Sequence, residues 1–427
     1  MTYLPNLKKL KNKTYQAAVS KGNGNENSGG FSGGCGPNTE MYMRADNVEY
    51  MDFSSINIAY KGYCGICDTG DYIFYIPQGD NYYFLRYDKS QAFTTSAVSV
   101  IDISNGGSTP QYKGFRGAVF DGRYVYFVPY TVGGVYYGNI IRYDTTAAFT
   151  YANLSFFDLT TINANYKGYY GACFDGRYVY FSPYSYGTAS HGNFVRYDTT
   201  GSFTSAGSYT VHDLTTINAN YKGFINITCS ESGYIYMSSY YHMVGGIKGI
   251  ILRYKFDESF TSSGSYESID LEAINVNYKG YFGFVETNEY IFTIPWSNGS
   301  SSGIFARYDK AKNFTENNSW DFFDMETIDS DYKGFLCAAV SGRYIYFVPY
   351  KAGVSEGGVV VRYDTKKDMD DTTAYASFDL ATVDSDLVGF FASLFDGQHL
   401  YLSPYTSSGS TSGVAGRVKL SPYNRGI

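Results

Sequence analysis

The chain has 427 residues, 40 of them acidic, 33 basic and four histidine, for a formal charge of −7. That mildly negative balance, with no extended basic run, argues against a nucleic-acid partner. No apolar stretch is long enough for a membrane span or a signal peptide, so neither membrane insertion nor general secretory export is expected.

In chain order, residues 1 to 47 come first, with a short basic patch from Lys8 to Lys13 and a Gly/Ser/Asn-rich stretch from Lys21 to Pro37. That composition has little to pack, and the segment reads as an N-terminal arm, a disordered lead-in or an attachment segment for a larger assembly. From residue 48 onward a single pattern takes over. The tripeptide Tyr-Lys-Gly ends at Gly62, Gly114, Gly168, Gly223, Gly280 and Gly334, with a degenerate seventh copy at Gly389, so successive copies lie 52 to 57 residues apart. A period of this size marks a tandem array of one supersecondary unit.

The second copy shows what the unit contains. Phe115 to Phe120 alternates and ends in Asp121-Gly122, the preferred pair for a tight hairpin turn. Tyr124 to Val128 is an aromatic and β-branched run stopped by Pro129-Tyr130, Gly138 to Asp144 makes a third strand, and Ser155 to Leu159 a fourth. Four short antiparallel strands with almost no helix signal describe one blade of a β-propeller. The second strand is apolar at consecutive positions, as in Tyr178 to Phe181, which suits a sheet packed on both faces.

The last repeat carries only three strands, from Phe390 to Leu420, whereas Val48 to Phe53 matches the fourth-strand pattern with no blade before it. The expected fold is therefore an all-β, seven-bladed propeller over residues 48–427, its blades four-stranded and antiparallel, with the N-terminal strand completing the last blade. Closure of this kind hides the edges an open array would expose.

Residues present in every blade belong to the scaffold. An arginine recurs in all seven third strands (Arg86, Arg142, Arg196, Arg253, Arg307, Arg362 and Arg417), an aspartate ends each fourth strand, and a lysine sits in six of the inter-blade turns. These charges are expected to pair or to cap turns at the blade boundaries, with a lysine ring that binds an anion as the alternative. Cys64 and Cys67, three apart on a strand, point to opposite faces, so buried free thiols are expected rather than a metal or redox pair.

Variation gathers in the loops that follow the second strands, and scaffolded loops of differing sequence are where binding usually sits. Tyr, Ser, Gly and Asn dominate them, a palette suited to polar surfaces. Six aromatics open these loops, Tyr130, Tyr184, Tyr240, Trp296, Tyr350 and Tyr405, and they either stack on sugar rings or cap the sheet core. The residue before the loop-closing glycine changes from loop to loop, reading Tyr137, His191, Lys248, Ser302, Glu356 and Ser412. His191 and His242 lie in adjacent loops, close enough in the fold to meet. The candidate binding set is thus Tyr130, Tyr137, Tyr184, His191, Tyr240, His242, Lys248, Trp296, Tyr350, Glu356 and Tyr405, with no catalytic residue, metal ligand or cofactor expected. Asp80 and Glu356 are the main non-repeated acids for a glycosidase pair, and nothing else recommends them.

The run Phe120 to Tyr130, echoed at Phe174 to Tyr184 and followed by Arg142 to Thr145, resembles tandem propeller repeats in uncharacterised bacterial and bacteriophage proteins, including tail-associated ones. The resemblance spans residues 48–427 and implies a recognition module of a virion tail or adhesion assembly. Such a module would bind a surface glycan or protein through its loop-rich face and other subunits through the arm. A structural component of a multiprotein assembly is the second reading, and a carbohydrate-active enzyme a distant third.

Overall fold

The structure, a computed structural model, describes residues 43–104, 112–353 and 355–420. The expected attachment arm lies almost wholly outside the described residues. Seven four-stranded antiparallel sheets follow one another along the chain. In the second blade the strands are Phe115–Phe120, Tyr124–Pro129, Asn139–Asp144 and Leu154–Asp158, running from the central axis to the rim. Their second strands are buried at five consecutive positions, as expected for sheets covered on both faces.

The seam joins the two ends of the array. Val48–Asp52 adds to Val414–Lys419 as the outer strand of the seventh blade, with Val48 opposite Val418 and Asp52 opposite Val414. Arg417 Nε donates to Glu49 Oε2 at 2.6 Å and its Nη1 to the Tyr87 hydroxyl of the first blade at 3.0 Å. Lys89 bridges Asp68 at 3.1 Å and Asp396 at 2.8 Å, again linking the first and seventh blades.

Between neighbouring blades the core is aromatic. The tyrosine after six of the seven repeated arginines is buried, and its hydroxyl donates to the backbone carbonyl four residues on, as in Tyr143 to Ala147 at 2.9 Å and Tyr197 to Gly201 at 3.1 Å; after Arg417 the place is taken by Val418. A ring goes into the core while its polar end is satisfied by the following turn, which is why tyrosine holds a position where phenylalanine would pack as well. Each such side chain contributes roughly 2 kcal/mol through the apolar area it removes from water.

Only part of the expected charge pairing occurs. Arg253, Arg307 and Arg417 meet Glu267, Asp321 and Glu49. The remaining repeated arginines are partnered by rings instead. Arg86 lies 4.3 Å from the Tyr72 ring of its own blade and 4.4 Å from Phe149 of the next, and Arg142 is held in the same way between Tyr124 and Phe203 at 4.1 and 4.4 Å. A planar, weakly hydrated guanidinium can sit between two aromatic faces where an ammonium would not. The fourth-strand aspartates cap turns as expected: Asp158 accepts from Thr160 N at 2.9 Å, and Asp52, Asp213, Asp270, Asp324 and Asp379 repeat the contact. The turn lysines divide, Lys113, Lys279 and Lys333 pairing with Asp80, Glu272 and Glu326, while among the described residues no carboxylate pairs with Lys61, Lys167 or Lys222.

The candidate recognition face

All the long variable loops leave from the ends of second strands, at the same end of the molecule as the Tyr-Lys-Gly turns. Four of them are short β-ribbons, pairing Thr131–Val132 with Val135–Tyr136, Tyr241–His242 with Gly246–Ile247, Lys351–Ala352 with Ser355–Glu356, and Thr406–Ser407 with Ser410–Thr411. The loops of the third and fifth blades are pinched by single bridges, Ser185 to Ser190 and Ser297 to Ser301. Left-handed glycines at the tips, Gly133, Gly134, Gly245, Gly246, Gly353 and Gly409, let so short a ribbon turn.

One hydrogen-bond scheme positions the base of every loop. In the second blade the Tyr137 amide donates to the Tyr130 carbonyl at 2.8 Å, and the Tyr137 carbonyl then accepts from Gly168 N of the next Tyr-Lys-Gly turn at 3.0 Å. His191, Lys248, Ser302 and Ser412 make the same two contacts. Because the contact uses backbone alone, the side chain there is free to vary. In the sixth blade this place belongs to Gly357, which donates to the Tyr350 carbonyl and accepts from Gly389 N. Glu356 is therefore one residue out of the expected register: the closing glycine is Gly358, and of two adjacent glycines the sequence did not show which closes the loop. Glu356 pairs with Lys351 across the ribbon and accepts from Gly409 N of the last blade at 3.3 Å.

The six loop-opening aromatics converge on the axis. Trp296 and Tyr350 lie 5.0 Å apart between ring centres, Tyr350 and Tyr405 5.8 Å, and Tyr130 and Tyr184 5.8 Å. Beneath them the second residue of each innermost strand faces the centre: Cys64, Tyr170, Ile225, Phe282, Leu336 and Phe391 form one apolar cluster with the aromatic collar. Tyr170, Phe282 and Phe391, from alternate blades, meet at the middle at 5.7 to 6.4 Å. The second blade contributes Arg116 instead, 5.1 to 5.7 Å from the rings of Tyr130, Tyr170, Phe391 and Tyr405. Of the collar, Tyr184 is buried and the other five are half-buried, so part of each ring serves the plug.

The two histidines do not share a site. His191 is 3% exposed, stacks on Tyr186 and lies with Nε2 3.3 Å from the Gly168 carbonyl. His242 is 2% exposed, with Nε2 3.0 Å from Ser239 Oγ and 3.1 Å from the Lys222 carbonyl. Each ring thus braces the Tyr-Lys-Gly turn beside its own blade. Burial holds the His191 imidazole down to about 4, below the ordinary 6.5. Between those values the unfolded chain takes up a proton that the folded one does not, so stability falls as pH drops from 6.5 toward 4, by up to ~3 kcal/mol for this one group. His242 is held down to about 4 in the same way, so denaturant titrations at pH 7 and 4.5 are expected to show a larger total loss, of which His191→Gln removes only the His191 share.

What faces outward differs from blade to blade. Val135 in the second blade and Tyr241, Met243 and Val244 in the fourth are exposed apolar side chains at the ribbons, Val244 at 85%. Tyr137 and Lys248 are half-buried at the ribbon bases. The exposed tips carried no signal along the chain, since isolated valines in a polar loop are unremarkable until a ribbon lifts them to its end.

No protein-family model matches the chain, and no curated protein sequence does. Solved structures do match. A virginiamycin B lyase from Staphylococcus aureus is 12% identical with a TM-score of 0.57, over 88% of this chain and 99% of that one. The extracellular domain of a hybrid two-component system from B. thetaiotaomicron has the same identity and TM-score, over 88% of this chain and 43% of that one. YCF48, solved bound to a D1 peptide, is 11% identical with a TM-score of 0.54, over 88% and 97%. Among the described residues no helix is long and apolar enough to cross a membrane. Likeness at this identity shows the fold alone: a seven-bladed β-propeller, an architecture compatible with a binding or recognition module and also found in a lyase.

Proposed function

We propose that the chain is a non-enzymatic recognition module that engages a surface carbohydrate or protein through the ribbon-bearing face. The observation that carries this reading is the convergence of six dissimilar loops on one rim, each held at its base by the same backbone contacts. A rim of that kind keeps contact residues rigid while their identities change, which lowers the ordering cost of binding. The exposed apolar tips at Val135, Met243 and Val244, set among tyrosine and serine, supply the mixed surface that recognition sites use. Placement in a virion tail or adhesion assembly is supported by the resemblance of the Phe120 to Tyr130 repeat to tail-associated propellers, with residues 1 to 47 as the attachment segment. The half-exposed collar, Trp296 above all, offers aromatic faces to a sugar ring.

Binding of the purified chain to a glycan array and to whole cells tests this. Val244→Asp and Trp296→Ala are expected to lower binding at least about tenfold, while the exposed Val244 change moves stability by only about 0.5 kcal/mol or less. Binding indifferent to both changes would rule the face out. Tight incorporation into a purified assembly with no affinity for any cell surface would favour a structural subunit, and turnover of a polysaccharide would replace the reading with an enzymatic one.

A further inference from the structure

Inside the plug lies a cavity of about 50 Å³ lined by the inner strands, with Arg116, Asn226 and Ser393 among its walls. Arg116 has no counterpart in the other blades, where the same position is apolar or a tyrosine. Its Nη1 donates to the Tyr405 hydroxyl at 3.2 Å, its Nε has no hydrogen-bond partner, and among the described residues no carboxylate pairs with it. A guanidinium does not deprotonate in a protein, so this charge stays inside the ring of blades. Arg116 is half-buried; the surrounding aromatic faces attract its guanidinium but do not neutralise it, and its buried Nε is left without an acceptor or counter-ion.

Two more donors lie around the same cavity. Asn226 stands where four other blades have glycine, beside Gly283, and its side chain makes no hydrogen bond to a described residue. Ser393 is 1% exposed, and its hydroxyl has only the weakly hydrogen-bonding Cys337 thiol beside it. Water alone at Asn226 and Ser393 would solvate the Arg116 guanidinium but bring it no negative charge. Taking ~30 Å³ for one water, the space suits a guest of halide to acetate size and nothing larger.

We propose that the axial cavity is a binding site for a small monovalent anion, a halide or short carboxylate, held by the Arg116 guanidinium with the Asn226 amide and the Ser393 hydroxyl. The anion completes the plug electrically and locks the inner strands of the second, fourth and seventh blades to one another. This site is independent of the outer face, and either can fail without the other.

Chloride-35 NMR on the full chain, with acetate as competitor, reads the site directly. The wild-type protein is expected to broaden the chloride line, acetate to reverse it, and thermal unfolding to occur at higher temperature in sodium chloride than in sodium gluconate of equal ionic strength, gluconate being too large to enter. Arg116→Met is expected to weaken chloride binding about 30-fold or more, the least that follows from removing one partner of a buried charge pair. Asn226→Leu, which fills the cavity and keeps the charge, should also abolish the broadening and decides the matter if Arg116→Met does not fold. A wild-type protein without acetate-reversible broadening, or broadening unchanged in Asn226→Leu, would overturn the proposal.

Discussion

Starting the chain at Ser54 is expected to abolish cooperative unfolding and to leave an aggregating product. The lost segment holds far more than a decorative strand. Met51 and Phe53 are both buried, Phe53 completely, in a cluster with Tyr63, Tyr75 and Tyr401 that belongs to the first and seventh blades together. Truncating a buried Phe costs about 3–5 kcal/mol and a buried Met about 2–5, which together approach the whole net stability of an ordinary domain. Five backbone pairings to Val414–Lys419 and the Arg417–Glu49 contact go with them. The exposed edge of Val414–Lys419 would then be free to pair with another chain. Circular dichroism melting and light scattering would show this, and a synthetic Val48–Ser55 peptide added in excess should restore part of the transition. A truncated chain melting like the full one would mean that the ring holds without its seam.

Gly168→Ala is expected to be nearly as damaging, and for a reason separable from backbone strain. Gly168 has φ +75°, and a Cβ built on it would lie 1.5 Å from the Ser185 carbonyl oxygen. That oxygen belongs to the loop of the third blade, whose Tyr184 and Ser185 amides both donate to the Gly168 carbonyl. A methyl group therefore cannot be added without driving the loop away and breaking the contacts that hold the rim. Gly176 supplies the control: φ is +105°, yet nothing lies within 4 Å of the place a methyl group would take there. Gly176→Ala should cost about 1–2 kcal/mol for the left-handed backbone alone, and Gly168→Ala several kcal/mol beyond that. Equal losses in paired denaturant titrations would show that the loop yields freely, and the rigidity argued for the recognition face would go with it.

The chain's own pattern settled the number of blades and how the ring closes. The Tyr-Lys-Gly period counts seven units, and a fourth-strand motif at Val48 with a three-strand unit at the end leaves one way to complete the ring. Both are readable because a blade is a local object, its strands joined by short turns within about fifty residues. The six collar aromatics were legible for the same reason, as they follow equivalent second strands. Their role as lid to a plug was not, since Tyr170, Phe282 and Phe391 come from alternate blades and touch only at the axis. Likewise the repeated arginines read as half of an ion pair until the next blade brought Phe149 or Phe203 over them. Glu356 slipped one place because Gly357 and Gly358 look alike until hydrogen bonds to Tyr350 and Gly389 distinguish them.

Arg116 shows the division most clearly. In the sequence it is one polar residue in an alternating strand, as easily exposed as buried. Only closure of the ring turns that position toward the centre, where the inner strands approach, and sets an ordinary arginine among aromatic rings with no carboxylate beside it among the described residues. Periodicity along a chain records what each blade repeats; which side chains meet across blades depends on the curvature of the whole ring, and that exists only once it has closed.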